Sequence, residues 1–389
     1  MDRIKVGILG LRRGVSHVHN MLQVEGAQVI GACDRYPARR ERGEEILAPH
    51  GAKVVAEFDE LLAMGPDAIV VASNGKLQVQ HSIQALEAGC HVLSEVPGAY
   101  TLEECVRLRD AVERTGKTYM FGENSCFLDF LRYWRKWIIE DRLGPISIAE
   151  AEYLHYLPHT LYAADGTAMT PSQAKAGGRT DCSPVWRADQ PPIQYLTHDL
   201  GPLLEVLDDR VVSVTCRSAP WRCKEAPLRS DGQIALYQTA KGTLIKIMVT
   251  LNTRRPAEHR YRLFGTDGSA EWFSYEGYCR LMDRNREEHE GWQRVDIGEA
   301  ARGEDRTGGH GGTDIKLARC FIDTLLAGKP APIDVYRLVE YTLPGILAAQ
   351  SADLGGMPLE VPDLRRTPFA GTSFWETVGL PEVDPSVPT

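Results

Sequence analysis

Tyr195 and His198, three residues apart, are the first place where this sequence offers chemistry. They stand at the entry to a helix-like stretch, Asp199–Leu207, and residues three apart share a helix face, so phenol and imidazole converge on one group. An imidazole titrating near neutrality suits removal of a hydroxyl proton. A histidine capping a helix or packing beneath a sheet is the alternative. Tyr153 lies in the strand-like Ile146–Leu154 and is either an aromatic on an open sheet or a phenol facing a ligand. His310 sits between Gly308-Gly309 and Gly311-Gly312, a composition that marks a backbone close to a ligand or a sharp bend. There it touches substrate or supports His198, while Asp314 suits a helix cap. Trp186-Arg187 reads as an aromatic platform for the C–H face of a sugar with a guanidinium donor beside it, or as a loop anchor. His17 and His19 read as structural. No group of histidines and acids has metal-ligand spacing, so no metal is expected.

A second set of residues points to a nucleotide. The apolar run Ile4–Leu9 enters Gly10-Leu11-Arg12-Arg13-Gly14, where a helix begins. Glycines at such a junction let backbone amides approach a pyrophosphate at a helix N-terminus. The fingerprint is imperfect, with Arg12 at the second glycine position and Gly14 one residue early. Asp34 follows the second apolar run, 24 residues after Gly10, where a carboxylate binds a ribose 2′-hydroxyl and repels a 2′-phosphate. NAD is therefore favoured over NADP, with Arg35 and Arg39 keeping NADP as the minority reading.

The elements that position these groups belong to a chain of 389 residues, too long for one core, so about two domains are expected. Hydrophobic residues at 43% and charged residues at 25% exclude wholesale disorder. A net charge of -9 argues against nucleic acid as partner. No apolar run approaches the roughly 20 residues of a membrane helix, and the start has no signal-peptide profile, so a cytoplasmic protein is expected. Nine cysteines without a Cys-x-x-Cys pair indicate neither zinc knuckle nor disulfide framework.

The first third alternates strands (Ile4–Leu9, Gln28–Cys33, Ala68–Ala72, His91–Ser94, Lys117–Phe121) with helix-like stretches, the pattern of a parallel α/β sheet. Thr101 with Glu104 forms a capping-box signal before Cys105–Thr115. From Ile146 the strand candidates Val211–Ser218, Gln233–Thr239, Leu244–Asn252, His259–Gly265 and Ala270–Ser274 follow one another without helices, predicting a large, mainly antiparallel open sheet. Helices are expected near Thr313–Ala327 and Val335–Ala352. The fold class is α/β: a Rossmann domain over residues 1–125, an α/β domain for substrate and oligomerisation over 126–362, and an extended tail over 363–389. The irregular Ala163–Pro192 reads as a working loop over a site. Leu244–Val249 carries apolar residues on both faces, so a homodimer or homotetramer through the open sheet is expected.

Ser73-Asn74, His81 and the run Ala85-Leu86-Glu87-Ala88-Gly89-Cys90-His91-Val92-Leu93-Ser94-Glu95-Val96-Pro97 resemble the Gfo/Idh/MocA family of oxidoreductases. The resemblance in architecture extends over about residues 1 to 362. It implies a nicotinamide cofactor held by Ser73, Asn74, His81, Glu95 and Val96, with Pro97 shaping the turn beneath the nicotinamide. Family dehydrogenases carry Glu-Lys-Pro, whereas here the lysine is Val96. They often place an aspartate four residues before the catalytic histidine, whereas here that residue is Gln194.

A narrower likeness accommodates both departures. Glu95-Val96-Pro97, Glu123-Asn124, Tyr195-Leu196-Thr197-His198 with Gly201-Pro202, and Gly309-His310-Gly311-Gly312-Thr313-Asp314 are similar to the NAD-dependent glycosidases of the α-N-acetylgalactosaminidase type. That likeness places Asn124 at the cofactor and makes Tyr153 the candidate base for the sugar C2 proton. It implies transient oxidation of C3, elimination of the aglycone, addition of water and return of the hydride. The loop Ala163–Pro192 differs from that type. The leading expectation is an NAD-dependent oxidoreductase acting on a secondary hydroxyl of a sugar or glycoside. Redox-assisted glycoside hydrolysis is the alternative, and a non-catalytic NAD-sensing regulator is a reading from another class.

Overall fold

Six short strands rich in β-branched residues build the first sheet: β1 (Ile4–Leu9), β2 (Ala27–Cys33), β3 (Lys53–Val55), β4 (Ala68–Val71), β5 (His91–Ser94) and β6 (Tyr119–Phe121). A computed structural model of the chain describes residues 3–223, 230–297, 309–365 and 374–379. Most of these strands are joined through a helix, so the crossovers make every pair parallel, in the order β3-β2-β1-β4-β5-β6. Both faces are covered, which is why Val6, Ile8 and Ala68–Val71 are wholly buried without alternation. The strand order reverses between β1 and β4, and the crevice at their C-terminal ends is where such sheets take ligands.

The first sheet is nearly as expected, apart from the short β3. The expected cap at Thr101 is present, its Oγ1 accepting from Glu104 N at 3.1 Å. The returning arm is shifted by one residue, since the Glu104 carboxylate accepts from Tyr100 N at 2.7 Å.

The second sheet has nine strands: β7 (Ile146–Leu154), β11 (Val211–Ser218), β12 (Gly232–Thr239), β13 (Leu244–Thr250), β14 (Glu258–Gly265), β15 (Ser269–Phe273), β16 (Tyr278–Met282), β17 (Gln293–Asp296) and β18 (Leu359–Glu360). Their order is β17-β16-β15-β14-β7-β13-β12-β11-β18. All neighbours are antiparallel except β13 and β7. Alternate residues (Ala149, Ala151 and Tyr153 on β7, Ile245, Ile247 and Val249 on β13) pack inward beneath the helices Phe130–Ile139, Thr197–Leu207 and Val335–Asp353. The outer face is more polar than Leu244–Val249 suggests. Lys246 pairs with Glu150 at 2.7 Å and Arg262 with the same carboxylate at 3.0 Å. Ile148, Ile234 and Leu236 stay exposed beside that network.

The stretch expected as an irregular loop is ordered. It holds β9 (Ala168–Met169) and β10 (Ser183–Pro184), which flank β8 (Leu161–Tyr162) just before it in a three-stranded sheet, and a helix Pro171–Ala176 begun by a Thr170–Gln173 capping box. The tail departs from the extended chain expected. Residues Phe374–Val378 form a short helix whose Phe374 and Trp375 are buried, with Trp375 Nε1 donating to Glu205 O at 2.9 Å. The rest of the tail beyond 365, apart from residue 379, and Gly308 lie outside the described residues. Among the described residues no helix is long and apolar enough to cross a membrane.

Candidate active site

Three stretches distant in sequence meet at the switch point of the first sheet and enclose a cavity of about 640 Å³, within the range that suits small-molecule and cofactor ligands. Asp34, Arg35 and Tyr36 line one end, Tyr195 and His198 the other, and the small sheet with the helical turn Trp186–Asp189 after it supplies Tyr162, Pro184, Trp186 and Arg187 as a roof. Of the residues expected at the site, Gly10, Arg12, Arg13, Ser73, Asn74, His81, Glu95, Val96, Asn124 and His310 also line it.

Leu11, Gly14, Pro97 and Tyr153 do not. The Leu11 side chain is buried in the core and only its backbone serves the turn, N–H donating to Asp34 Oδ2 at 2.8 Å. Gly14 opens the helix Gly14–Met21, and a Cβ there would lie 3.0 Å from Ile8 Cγ2, so its smallness serves helix–strand packing. Pro97 lies behind Val96, where its carbonyl accepts from Thr342 Oγ1.

At the nucleotide end, Gly10 has φ +94° and an added Cβ would fall 2.4 Å from Ala72 O. Only glycine turns the chain there and leaves its amides open to a ligand. Asp34 accepts from two backbone amides, Leu11 N and Tyr36 N at 2.9 Å, so it braces the turn that it faces. The Arg12 guanidinium lies 4.5 Å from the centre of the Tyr162 ring and makes no carboxylate ion pair among the described residues. Burial, with Arg187 and Arg39 nearby, lowers its pKa to about 10. Arg39 has Asp34 at 3.7 Å, so Arg12 is the guanidinium left to meet an anion. Ser73 Oγ lies 2.8 Å from His81 Nδ1, whose pKa burial lowers. Asn74 caps the turn Gly75–Leu77 through Lys76 N.

Arg13 lines the cavity and also braces it. Its Nε donates to Glu95 Oε1 at 2.9 Å, and Nη1 and Nη2 clasp Asp314 at 2.8 and 2.9 Å. His17 Nε2 lies 2.6 Å from the same Glu95 oxygen, while Asn124 Nδ2 donates to Asp314 at 2.7 Å. Asp314 thus ties the helix Thr313–Ala327 to the nucleotide turn and does not cap its own helix, whose N-cap is Gly312. Burial alone would raise Glu95; Arg13 and His17 override it and hold the carboxyl at about 2. His310 rests on Asp314 through Nδ1 at 3.1 Å with φ 55°, its side chain 61% exposed.

At the far end His198 Nδ1 donates to Glu123 Oε1 at 2.7 Å. Glu123 follows β6, is wholly buried, and also accepts from Ser125 N at 3.1 Å. Binding Nδ1 leaves Nε2 as the nitrogen that works on the cavity. Burial pulls the His198 pKa down, but Glu123, then Asp199 and Glu95, raise it above the ordinary imidazole value. Tyr261 OH donates to His198 O at 2.6 Å and holds the backbone.

The Tyr195 ring lies parallel to Trp186 at 5.6 Å and 21°, with Tyr153 edge-on beneath it at 5.0 Å. Arg187 sits 5.1 Å over Trp186. Burial raises both tyrosine pKa values, Tyr153 the more; Arg187 opposes the rise at Tyr195. The arrangement can orient an imidazole base, offer a phenol beside it, and hold a ring against an indole.

Sequence reasoning passed over Glu123 as a working group although Glu123-Asn124 stood in a motif. The signal was a carboxylate directly after the last apolar strand of the sheet. It also passed over Arg13 as a strut, and over His155, His259 and Asp199 beneath His198. Among the described residues no group of three or more potential ligands forms a metal site.

Residues 4–123 match the model of the oxidoreductase family with an NAD-binding Rossmann fold, Gfo/Idh/MocA. The nucleotide end is thus similar to the NAD-binding Rossmann domain of that family. Residues 224–370 match the C-terminal domain of glycosyl hydrolase 109. A glycosyl hydrolase family 109 protein of Porphyromonas gingivalis is 26% identical, the alignment covering 94% of this chain and 85% of that one. Among solved structures, a levoglucosan dehydrogenase in complex with NADH and L-sorbose superposes with TM-score 0.76 at 16% identity, over 94% of this chain and all of that one. An oxidoreductase domain protein from Kribbella flavida gives TM-score 0.75 at 17% identity, over 93% and 100%. NAD is the cofactor of this oxidoreductase domain, and the residues present fit it: a glycine turn, a carboxylate at the end of β2 and an uncompensated guanidinium between them.

Proposed function

We propose that this protein oxidises a secondary hydroxyl of a sugar or glycoside, C3 being the position expected, in an NAD-dependent reaction. One observation carries the reading: the Nδ1–Glu123 contact of 2.7 Å fixes His198 at the end of the cavity whose other end is Asp34. Bound NAD supplies the hydride acceptor. His198 Nε2 takes the hydroxyl proton, and Glu123 keeps the tautomer and steadies the imidazolium that forms. Trp186 lies under the sugar, Arg187 donates to it, and Tyr195 stands beside His198 as a second proton-handling group. Tyr153, edge-on to Tyr195 at 5.0 Å and outside the cavity lining, supports Tyr195 from below in this reading, and the C2-proton role expected of it belongs to the cleavage reading. Val96 contributes shape only, so no cation at that position assists the hydroxyl.

The glycosyl hydrolase 109 matches favour a second reading, in which the oxidation opens a cleavage. A ketone at C3 acidifies the C2 hydrogen, the aglycone leaves by elimination, water adds at C1 and the ketone is reduced back, with no net redox change. A panel of glycosides followed for both reduced nicotinamide and free aglycone tests both readings. Aglycone released over many turnovers without net NADH supports cleavage, and NADH with a keto-sugar supports dehydrogenation. Cofactor binding with neither product would refute both and leave an NAD sensor. A reducing, cytoplasmic location belongs to the proposal, supported by nine cysteines that form no disulfide. So does a homo-oligomer across the outer face of the nine-stranded sheet, where Ile234 and Leu236 on β12 and Ile148 on β7 are exposed on either side of β13.

A further inference from the structure

Oxidation of a ring hydroxyl uses His198, Tyr195 and Glu123 and leaves two histidines beside them without a task. His155 follows Tyr153 by two residues, so both project from one face of the extended chain, and their rings stack at 3.9 Å and 17°. Tyr153 also lies parallel to His198, at 5.6 Å and 12°. His259, opposite Tyr153 in the β14–β7 register, stands edge-on to both tyrosine and histidine, 4.9 Å from Tyr153 and 5.3 Å from His155. Its Nδ1 lies 3.4 Å from Asp199 Oδ1, and its side chain is 23% exposed. His155 Nδ1 is buried and has no hydrogen-bond partner. Neither ring has a partner at Nε2 among the described residues, and neither Nε2 is among the sealed atoms.

Position decides what these free nitrogens meet. A dinucleotide anchored at Asp34 would run along the cavity toward His198 at its other end. His155 and His259 stand next to that end and outside the cavity lining, His259 6.3 Å from His198 and both packed on Tyr153. Burial, followed by the neighbouring histidines, pushes each ring down to about 3. Each is therefore a neutral imidazole whose free Nε2 acts as donor or acceptor according to its tautomer, and a hydroxyl group can answer either. Stacked aromatic rings edged with neutral donors and acceptors suit a second sugar better than an ionic or purely apolar group.

We propose that His155 and His259 form a subsite for a glycosyl aglycone, hydrogen-bonding the hydroxyls of a second sugar ring on the far side of His198. The inference rests on the proposed function, since it names the substrate class of that site. The alternative is that the two histidines only brace Tyr153.

The test compares a disaccharide with an aryl glycoside of the same sugar, using the NAD-loaded protein and His155→Phe and His259→Phe, which keep a ring against Tyr153. The loss in kcat/KM is expected to be about tenfold larger for the disaccharide, the worth of one hydrogen bond. His155→Gln, which restores a donor and acceptor, is expected to recover most of that difference. Equal losses on both substrates, no loss on either, or no recovery with glutamine would overturn the subsite. If a phenylalanine variant does not fold, the glutamine variant carries the comparison, and a selective loss there overturns it too. Wild-type protein that turns over neither substrate would remove the proposed function and the subsite with it; turnover of both with equal losses removes the subsite alone.

Discussion

Glu123 is where the chemistry of single residues is most exposed to test. It raises the His198 pKa against the pull of burial, so kcat/KM rises with pH through a value above that of an ordinary imidazole, as His198 loses its proton. Glu123→Gln removes that support. The rise is expected to move to lower pH, and the plateau to fall by roughly 10²-fold, the lower end of what a positioned base contributes. A pH–rate profile of both proteins checks this; an unmoved acid limb would assign the base to another group.

Arg12 offers a second test. Arg12→Gln removes an uncompensated guanidinium from the nucleotide end and is expected to weaken NAD binding by about tenfold, the scale of one charge-assisted hydrogen bond. A fluorescence titration with NAD measures it.

Much of this residue-scale picture was legible in the sequence. Tyr195 and His198 do share a helix entry, and Asp34 does end β2. What was not legible is pairing across distance. Glu123 meets His198 across 75 positions and Arg13 meets Asp314 across 301, and no local spacing encodes either contact. Asp314, in the first turn of its helix, read as a cap because propensity is local while the contact that claims it is tertiary.

At the scale of elements, the Arg13 network joins the nucleotide turn to the helix Thr313–Ala327. Arg13→Met leaves Glu95 and Asp314 buried without their cation and is expected to destabilise the protein by roughly 3 kcal/mol, visible as a lower urea midpoint. The pH dependence follows from the direction of the Glu95 shift. Its folded value, about 2, lies below its unfolded one. Its stabilisation is therefore present above the ordinary carboxylate range and lost as pH falls toward that folded value. The variant should show a flatter decline of stability over that interval. An identical slope would place the acid sensitivity elsewhere.

Helices and long strands were legible because their apolar periods are complete. Ile146–Leu154 and Thr313–Ala327 fall where the pattern puts them. The strands β16, β17 and β18 are short and carry charged residues such as Arg280, Arg294 and Glu360, so their period-two signal is weak. The roof strands β8, β9 and β10 have two residues each, below any periodicity, and only their position over the cavity shows what they do.

At the scale of the whole molecule, two sheets are set so that the nucleotide crevice of one opens onto the inner face of the other. The outer face of the nine-stranded sheet is divided between an Arg–Glu network and an apolar patch at Ile148, Ile234 and Leu236. If that patch pairs subunits, Leu236→Arg lowers the mass measured by sedimentation while leaving the melting curve of the subunit core in place. A wild-type monomer in solution would contradict the oligomer.

The central claim is that a C–H bond at a secondary alcohol carbon is broken in every turnover. The most direct measurement uses a glycoside deuterated at C3, with rate and label position followed together. The account predicts slower turnover than with the protiated glycoside, with deuterium found on the nicotinamide or returned to C3. Turnover at the same rate with the label never leaving C3, while aglycone is still released, would contradict it and assign cleavage to acid–base chemistry alone.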